Sequence, residues 1–526
     1  MLVDLRKIKS CNKWLLLVPA VMVYVGLSLY TLEISPPPAG DEGWYAQAME
    51  NMARTGKSAH SRVLGILGMD RDYLLFGKIY IKLGSLAAGE NNSLWYFRLP
   101  SFLGVLICTL FLFLWLQKLY DGKTAGWSVA FLLLSTPVFV SSHTVRPEGI
   151  DLALLSGAFY FAQRSFFSTA LIFPLASGLN AGLLPSVHIA ATPLICILGL
   201  WWIWEYRLSF LRERRFWVWV FGVGVGLSLW LWTHLWSDPS LFWIQWDAIS
   251  GGVSPSDLQT SGSPFACLFS ELHAFWAPYG FSQKGIGYIP LFLLGAGWIH
   301  GLWGKDKRDL RLALTVTCLF VLFAFTSHNK YGWYVVFYLF FLCPLLSRML
   351  ISPRLSNPKR AISPFELCKI LIAGIYLLVG AVHIGGKAFL ELRSPTLAET
   401  GKEISREIPR GEVVLASSPI VFMNPDFIWV DTWFVKILRS NPSEQARYGK
   451  SLEDALVRAR IGFIVSHTDN DPDLAILNPE LSHILKGGKV FEDYHFLEKK
   501  TRLVKIVNAE RRGKYVIRRV LSVSEE

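Results

Sequence analysis

Residues 14–32 read WLLLVPAVMVYVGLSLYTL, without one Asp, Glu, Lys or Arg, and residues 33–45 continue EISPPPAGDEGWY. A helix crosses the hydrocarbon core of a bilayer with about 20 apolar residues, because no water is there to satisfy the backbone. The first stretch therefore reads as a membrane span. Arg6, Lys7, Lys9 and Lys13 precede it and no small-x-small cleavage site follows, so it is an uncleaved anchor rather than a signal peptide. The second stretch leaves the membrane through Pro36, Pro37 and Pro38, which stiffen the exit. It then opens a polar loop on two adjacent carboxylates, Asp41 and Glu42.

Other runs free of charged residues cover 99–117, 124–145, 152–163, 165–204, 216–237, 285–304, 312–329, 331–347 and 370–386. The run 165–204 is long enough for two helices, with Gly182 to Ser186 as the turn. The run 152–163 becomes a span when Pro147 to Asp151 form its outer end. The reading is an α-helical polytopic bundle of about eleven spans. The whole chain agrees: of 526 residues 52% are hydrophobic and only 17% charged, with a mean hydropathy of +0.37. That excludes a disordered chain, a coiled coil and a disulfide-rich miniprotein.

The net charge is +12. Residues 1–387 hold 31 Lys and Arg against 20 Asp and Glu, and residues 388–526 hold 21 against 20. The excess lies in the apolar part, where it reports membrane topology and not nucleic acid binding. With the N-terminus cytoplasmic, the inner connections carry 20 Lys and Arg, and the short outer ones only Arg146, Lys284 and Lys330. This places a multi-pass protein in the plasma (inner) membrane, N-terminus inside and C-terminus on the extracytoplasmic, periplasmic side. The seven cysteines contain no CxxC pair, so neither a cysteine zinc site nor a disulfide framework is expected.

Two regions stand outside the bilayer. The loop 33–98 carries helical spacing from Gly40 to about Arg54 (Trp44, Tyr45, Ala48, Met49, Met52) and again from Tyr73 to about Leu86. Both segments read as interfacial helices. Residues 388–526 change character: strands at Val413–Ala416, 461–465 and 503–507 alternate with amphipathic helices at 398–407 and 451–459, a soluble α/β domain. No phosphate-binding glycine loop or nucleophile motif is present in it. The acidic run Asp469-Asn470-Asp471-Pro472-Asp473 lacks calcium-loop spacing and reads as a polar turn.

Topology gathers the polar outliers on the outer rim: Asp41 and Glu42; His143, Arg146, Glu148 and Asp151; His328, Asn329 and Lys330, followed by Tyr331. Ionisable groups beside a bilayer are costly and are usually paired or functional. Each has a structural reading too. Asp41 is a good N-cap, Arg146 and Glu148 can pair with each other, and Lys330 can be a snorkelling anchor.

Taken in order, these motifs resemble the GT-C glycosyltransferases, and within them the protein O-mannosyltransferases, the lipid A aminoarabinose transferases and bacterial relatives. Asp41-Glu42-Gly-Trp-Tyr-Ala is similar to the Asp-Glu motif opening their first outer loop. Arg98-Leu99-Pro100-Ser101 resembles the start of their second span. Thr144-Val-Arg146-Pro-Glu148 resembles their Arg-x-Asp or Arg-Pro-Glu junction, and Lys330-Tyr331-Gly-Trp-Tyr334 their late Lys/Arg-plus-aromatic loop. The resemblance covers residues 1–387. The chain departs from the family at Gly68-Met-Asp70-Arg71-Asp72-Tyr73, where a Lys-Pro-Pro is common; Arg71 is the cation available there.

The resemblance implies a polyprenyl monophosphate sugar donor and transfer to a hydroxyl of a glycolipid, polysaccharide or protein on the outer face. The leaving phosphate needs cations, for which Arg146, Lys330 and Arg71 are candidates. The acceptor hydroxyl needs a carboxylate base. Asp41 is assigned that role, and direct displacement by the acceptor inverts the anomeric centre. Glu42 and Glu148 orient the acceptor or hold a divalent cation, no other cofactor being implied, and His143 and Tyr331 complete the substrate-binding set. A lipid or solute transporter, or a non-catalytic assembly factor, is the competing class. The patterned outer loop and the absence of ionisable residues at mid-span argue against the transporter.

Overall fold

The computed structural model describes residues 17–38, 40–89, 93–250, 267–273, 288–326, 334–351, 363–416, 418–423, 427–432, 434, 438, 442–449, 452–467, 500–509 and 514–521. Helices dominate. The loop that follows α1 (Leu17–Thr31), here called the first loop, carries α2 (Gly40–Thr55) and α3 (Lys78–Ala88). The bundle continues with α4 (Leu94–Leu119), α5 (Gly122–Leu133), α6 (Thr136–Ser142), α7 (Glu148–Phe166), α8 (Ile172–Val187), α9 (Pro193–Tyr206), α10 (Arg214–Trp230), α11 (Pro239–Ser250), α12 (Tyr288–Trp303), α13 (Lys307–Thr326), α14 (Val335–Leu350) and α15 (Pro364–Glu391). Among the described residues five helices are long and apolar enough to cross a membrane, six if α5 and α6 form one bent span; α1, α8, α12 and α14 are apolar but shorter.

Two details differ from the sequence reading. The run 124–145 is not one straight helix. α5 and α6 meet at 67°, and Pro137, which has no amide hydrogen to continue a helix, stands at the start of α6. The turn within 165–204 falls at 188–192, after α8, and not at Gly182–Ser186. Gly182 serves a helix crossing instead: a Cβ there would stand 2.3 Å from the Val223 carbonyl oxygen of α10. In lipid, helices associate through such small-residue contacts because apolar surface alone gives no preference for protein over lipid. The same device joins α4 to α7, where a Cβ on Gly149 would stand 2.3 Å from the Ser101 oxygen and one on Gly104 would stand 2.5 Å from Gly149. That crossing sets the top of α4 directly against the turn before α7.

The C-terminal part forms a five-stranded sheet in the order β2-β1-β3-β5-β4. β1 (Val413–Ala416), β2 (Ile428–Asp431) and β3 (Phe463–His467) are parallel; β4 (Thr501–Asn508) and β5 (Lys514–Val520) close it antiparallel. β2 and β5 escape a search for apolar runs, since β2 ends on Asp431 after three apolar residues and β5 carries Lys514, Arg518 and Arg519.

Both faces of this sheet pack on the first loop. Tyr45, Met49, Tyr80 and Ile81 share one apolar cluster with Val414, Phe422 and Trp429. Trp44, Ile66 and Met69 share another with Leu415, Val430 and Ile464. α2 is accordingly covered by protein from Glu42 through Met49, so its apolar residues there pack on the sheet. α3 keeps an apolar edge exposed at Leu83 and Leu86.

At the centre of the loop, His60 sits in a ring of Trp44, Tyr73 and Phe76, with centroids 4.2, 5.5 and 5.7 Å away. Burial holds its pKa down at about 3, against an ordinary 6.5. Below about pH 6.5 the unfolded chain binds a proton that the folded loop refuses until about pH 3. Stability present at neutral pH is therefore lost as pH falls through that window, by up to about 1.4 kcal/mol per pH unit. The melting temperature of the wild type should fall more steeply between pH 7 and pH 5 than that of His60→Gln. Parallel falls would show that the buried neutral imidazole contributes nothing.

Candidate functional site

Glu42 is the hub of a buried polar cluster. Its side chain is fully buried in the first turn of α2. Arg98, fully buried near the start of α4, grips it from two nitrogens: Nε donates to Oε2 at 3.0 Å and Nη2 to Oε1 at 3.0 Å. The same guanidinium donates to the carbonyls of Leu32 (3.0 Å) and Pro36 (2.7 Å). Glu42 also accepts the Val145 amide at 2.7 Å. One planar fork with matching geometry thus fastens four segments: the exit of α1, the proline turn, the start of α2 and the turn before α7.

A second chain of bonds runs alongside. The Tyr80 hydroxyl of α3 and Ser101 Oγ of α4 lie 2.9 Å apart, and Ser101 Oγ donates to the Arg146 carbonyl at 2.7 Å. The Arg146 side chain pairs with Glu148, with Nη2 to Oε1 at 2.8 Å and Nε to Oε1 at 3.1 Å, and both groups are buried. Glu148 heads α7, where a helix N-terminus favours a carboxylate. One turn further, Asp151 is also fully buried. Neither of its oxygens has a hydrogen bond among the described residues, and His188 Nδ1 stands 3.8 Å from it. The His188 ring lies 5.7 Å from that of Tyr334, the last residue of the late-loop motif.

The structure thus brings Glu42, Arg146 and Glu148 into one cluster and adds Arg98, Tyr80, Asp151 and His188 to it. In the sequence Arg98 stands out only as part of a span-start motif. His188 lies in the gap between two apolar helices, with no motif to mark it. Asp41 occupies the same first turn of α2 as Glu42, but its side chain lies outside the described residues, as do Lys330 and Tyr331. His143 faces the bundle: Nδ1 meets the Phe139 carbonyl and Ser142 Oγ at 2.8 Å each, Nε2 lies 3.2 Å from Thr31 Oγ1, and the ring stacks on Phe139. It ties α6 to α1. Arg71 is exposed beside Gly68, on the side of Leu241 and Asp238 at the start of α11. A partly buried cation nearby is Lys78, paired with Asp72 at 2.6 Å. Trp44 and Tyr45 are core residues.

Glu42 and Glu148 are each engaged by an arginine, and among the described residues no group of three His, Cys, Asp or Glu is placed to hold a metal. The pair does not fit a divalent cation, and no step is assigned to one.

The helical bundle, the patterned loop after α1 and the C-terminal sheet together give this chain the fold of solved structures to which it is 12–14% identical. The sequence matches no protein-family model and no curated protein. Among solved structures, ArnT from Cupriavidus metallidurans in its apo state aligns at a TM-score of 0.55 and 14% identity, covering 95% of this chain and 98% of that one. ArnT bound to undecaprenyl phosphate aligns at 0.58 and 13%, covering 96% and 98%. The archaeal oligosaccharyltransferase AglB from Archaeoglobus fulgidus, in complex with an inhibitory peptide and a dolichol-phosphate, aligns at 0.52 and 12%, covering 96% and 74%.

Removing one partner of a buried ion pair leaves the other charge uncompensated. Glu42→Ala or Arg98→Ala should cost about 3–5 kcal/mol. The joint replacement Glu42→Leu with Arg98→Met should lose much less than either alone. Denaturation of the purified variants in detergent checks this; equal losses for single and double variants would mean that the pair is not the anchor.

Proposed function

We propose that the chain is a membrane glycosyltransferase that moves a sugar from a polyprenyl monophosphate donor to an acceptor hydroxyl on the outer face, with inversion. Residues 1–387 form the catalytic bundle, with eleven spans: α1, α4, α5 with α6, α7, α8, α9, α10 and α12 to α15. Residues 388–526 form the outer domain. The observation that carries the reading is the Glu42 hub. It fixes the turn bearing Asp41 one hydrogen bond from the turn bearing Arg146. A carboxylate base and a cation for the leaving phosphate are thereby held on neighbouring backbone segments, as inverting displacement requires.

Each residue then has a task. Asp41 takes the proton of the acceptor hydroxyl as its oxygen attacks the anomeric carbon. The bond to the phosphate oxygen breaks on the opposite side, and the polyprenyl phosphate leaves as an anion. Arg146 stabilises that charge, with Glu148 holding its guanidinium in place. Lys330 supplies a second cation from the segment that ends at Tyr334, and Tyr331 stands beside it. His143 acts indirectly, by fixing the turn before α7.

An apolar cavity of about 590 Å³ supports the lipid half of the substrate. It lies between α12, α13 and α14 and is lined by Leu291, Phe292, Ile299, Val316, Phe320 and Tyr338. Its polar edge is the Tyr338 hydroxyl, which donates to Glu271 at 2.7 Å. A polyprenyl chain suits such a lining, because burying it gains about 25 cal/mol per Å² of apolar surface.

The test compares surface glycolipids and glycoproteins by mass spectrometry in a deletion strain complemented with wild type, Asp41→Asn or Arg146→Ala. Asp41→Asn should abolish the product at wild-type protein levels. Arg146→Ala should reduce it by roughly 100-fold or more, the usual cost of losing a group that stabilises developing charge. Undiminished product from Asp41→Asn would remove the base assignment.

A further inference from the structure

The parallel half of the C-terminal sheet has the order β2-β1-β3, so the chain leaves β1 to one side for β2 and to the other for β3. In open α/β sheets that reversal leaves a crevice outside the carboxyl ends of the strands, and ligands settle there. In this protein the crevice is filled by α2. Ile420, Val421, Phe422 and Met423, which follow β1, cluster with Tyr45, Ala48 and Met49 of α2. Asp431, the last residue of β2, is fully buried and accepts a hydrogen bond from Gln47 Nε2 at 3.0 Å.

Gln47 then fixes the next link. Its amide nitrogen is committed to a carboxylate, so its Oε1 faces His60, and Nδ1 of that imidazole carries the proton it accepts, at 3.2 Å. The chain His60–Gln47–Asp431 is buried throughout. Three further contacts join the same partners: the Leu67 amide to the Glu444 carboxylate (3.0 Å), the Tyr448 hydroxyl to the Leu64 carbonyl (2.6 Å), and Arg62 over the Trp429 ring (5.2 Å).

We propose that the C-terminal sheet positions the outer-face site, with α2 as its internal ligand, and that Asp431 is a positioning residue acting through Gln47 on the turn that carries Asp41 and Glu42. This rests on the transferase reading for its functional meaning. Gln47 lies five residues beyond Glu42 on one rigid helix, about 7.5 Å along its axis. The bundle holds the first point through Arg98, and the sheet holds the second through Asp431. Two anchors on different bodies remove the freedom of α2 to slide or roll. Apolar packing alone tolerates such movement, whereas a buried polar contact specifies one register.

The test uses the full-length protein in nanodiscs. Gln47→Glu keeps the side-chain shape but sets a carboxylate against Asp431. Adding Asp431→Asn restores the bond with its direction reversed, since the new amide at 431 donates to the new carboxylate at 47, whose other oxygen still accepts from His60. Hydrogen exchange of the α2 amides should rise by about tenfold or more in Gln47→Glu, with α4 amides unchanged, and return in the double variant. Product per folded protein should fall by about the same factor and return with it. Gln47→Leu, which keeps the packing, serves if Gln47→Glu does not fold, and should show the same two changes.

Unchanged exchange in the folded single variants, a double variant no better than the single, or product that stays at wild-type level while exchange rises would each overturn the assignment. The exchange readout does not depend on the reaction. Product that persists in Asp41→Asn would therefore remove the base assignment, and product that persists in the deletion strain would sink the transferase reading, neither touching the link between sheet and helix.

Discussion

The buried pair of Glu42 and Arg98 is the constraint on which the arrangement of the first loop against the bundle depends. Two opposite charges removed from water are stable only with every lone pair and proton engaged. Here the guanidinium reaches one carboxylate and two carbonyls, and the carboxylate also accepts the Val145 amide. Because the partners come from the end of α1, the proline turn, the start of α2, the top of α4 and the turn before α7, satisfying the pair leaves one arrangement of those five segments. The glycine contact between α4 and α7 sets the same geometry from the membrane side. A site assembled from distant segments needs such an anchor, since catalysis fails when reacting groups drift by about 1 Å.

In our proposal the acidic motif after α1 divides two jobs between neighbours. Glu42 is spent on architecture. In our proposal, that fixes the backbone from which Asp41 acts. Arg146 and Glu148 repeat the pattern on the facing turn. Asp151 and His188 lie deeper in the same cluster, and through Tyr334 they meet the end of the segment that carries Lys330.

The apolar runs were legible in the sequence because lipid imposes both length and the absence of charge. The Asp-Glu and Arg-Pro-Glu motifs were legible because each is local. Three things were not. Arg98 gives no local sign that its partner lies 56 residues earlier. His143 resembles a rim histidine until its bonds to Phe139 and Thr31 turn it inward. The burial of α2 comes from strands more than 350 residues downstream, whose packing on Tyr45 and Met49 no helical periodicity encodes. An amphipathic loop helix looks the same in sequence whether lipid or protein covers it.

The central claim is that the turn bearing Asp41 and the cations of the later loops face one chamber at the level of the lipid headgroups. A cryo-electron microscopy map of the protein in nanodiscs with added undecaprenyl phosphate tests it most directly. Phosphate density is expected within hydrogen-bond reach of Arg146 or Lys330, in a chamber onto which the Asp41 carboxylate opens. Phosphate density on the cytoplasmic side, or an Asp41 carboxylate pointing to bulk water away from the phosphate, would contradict it.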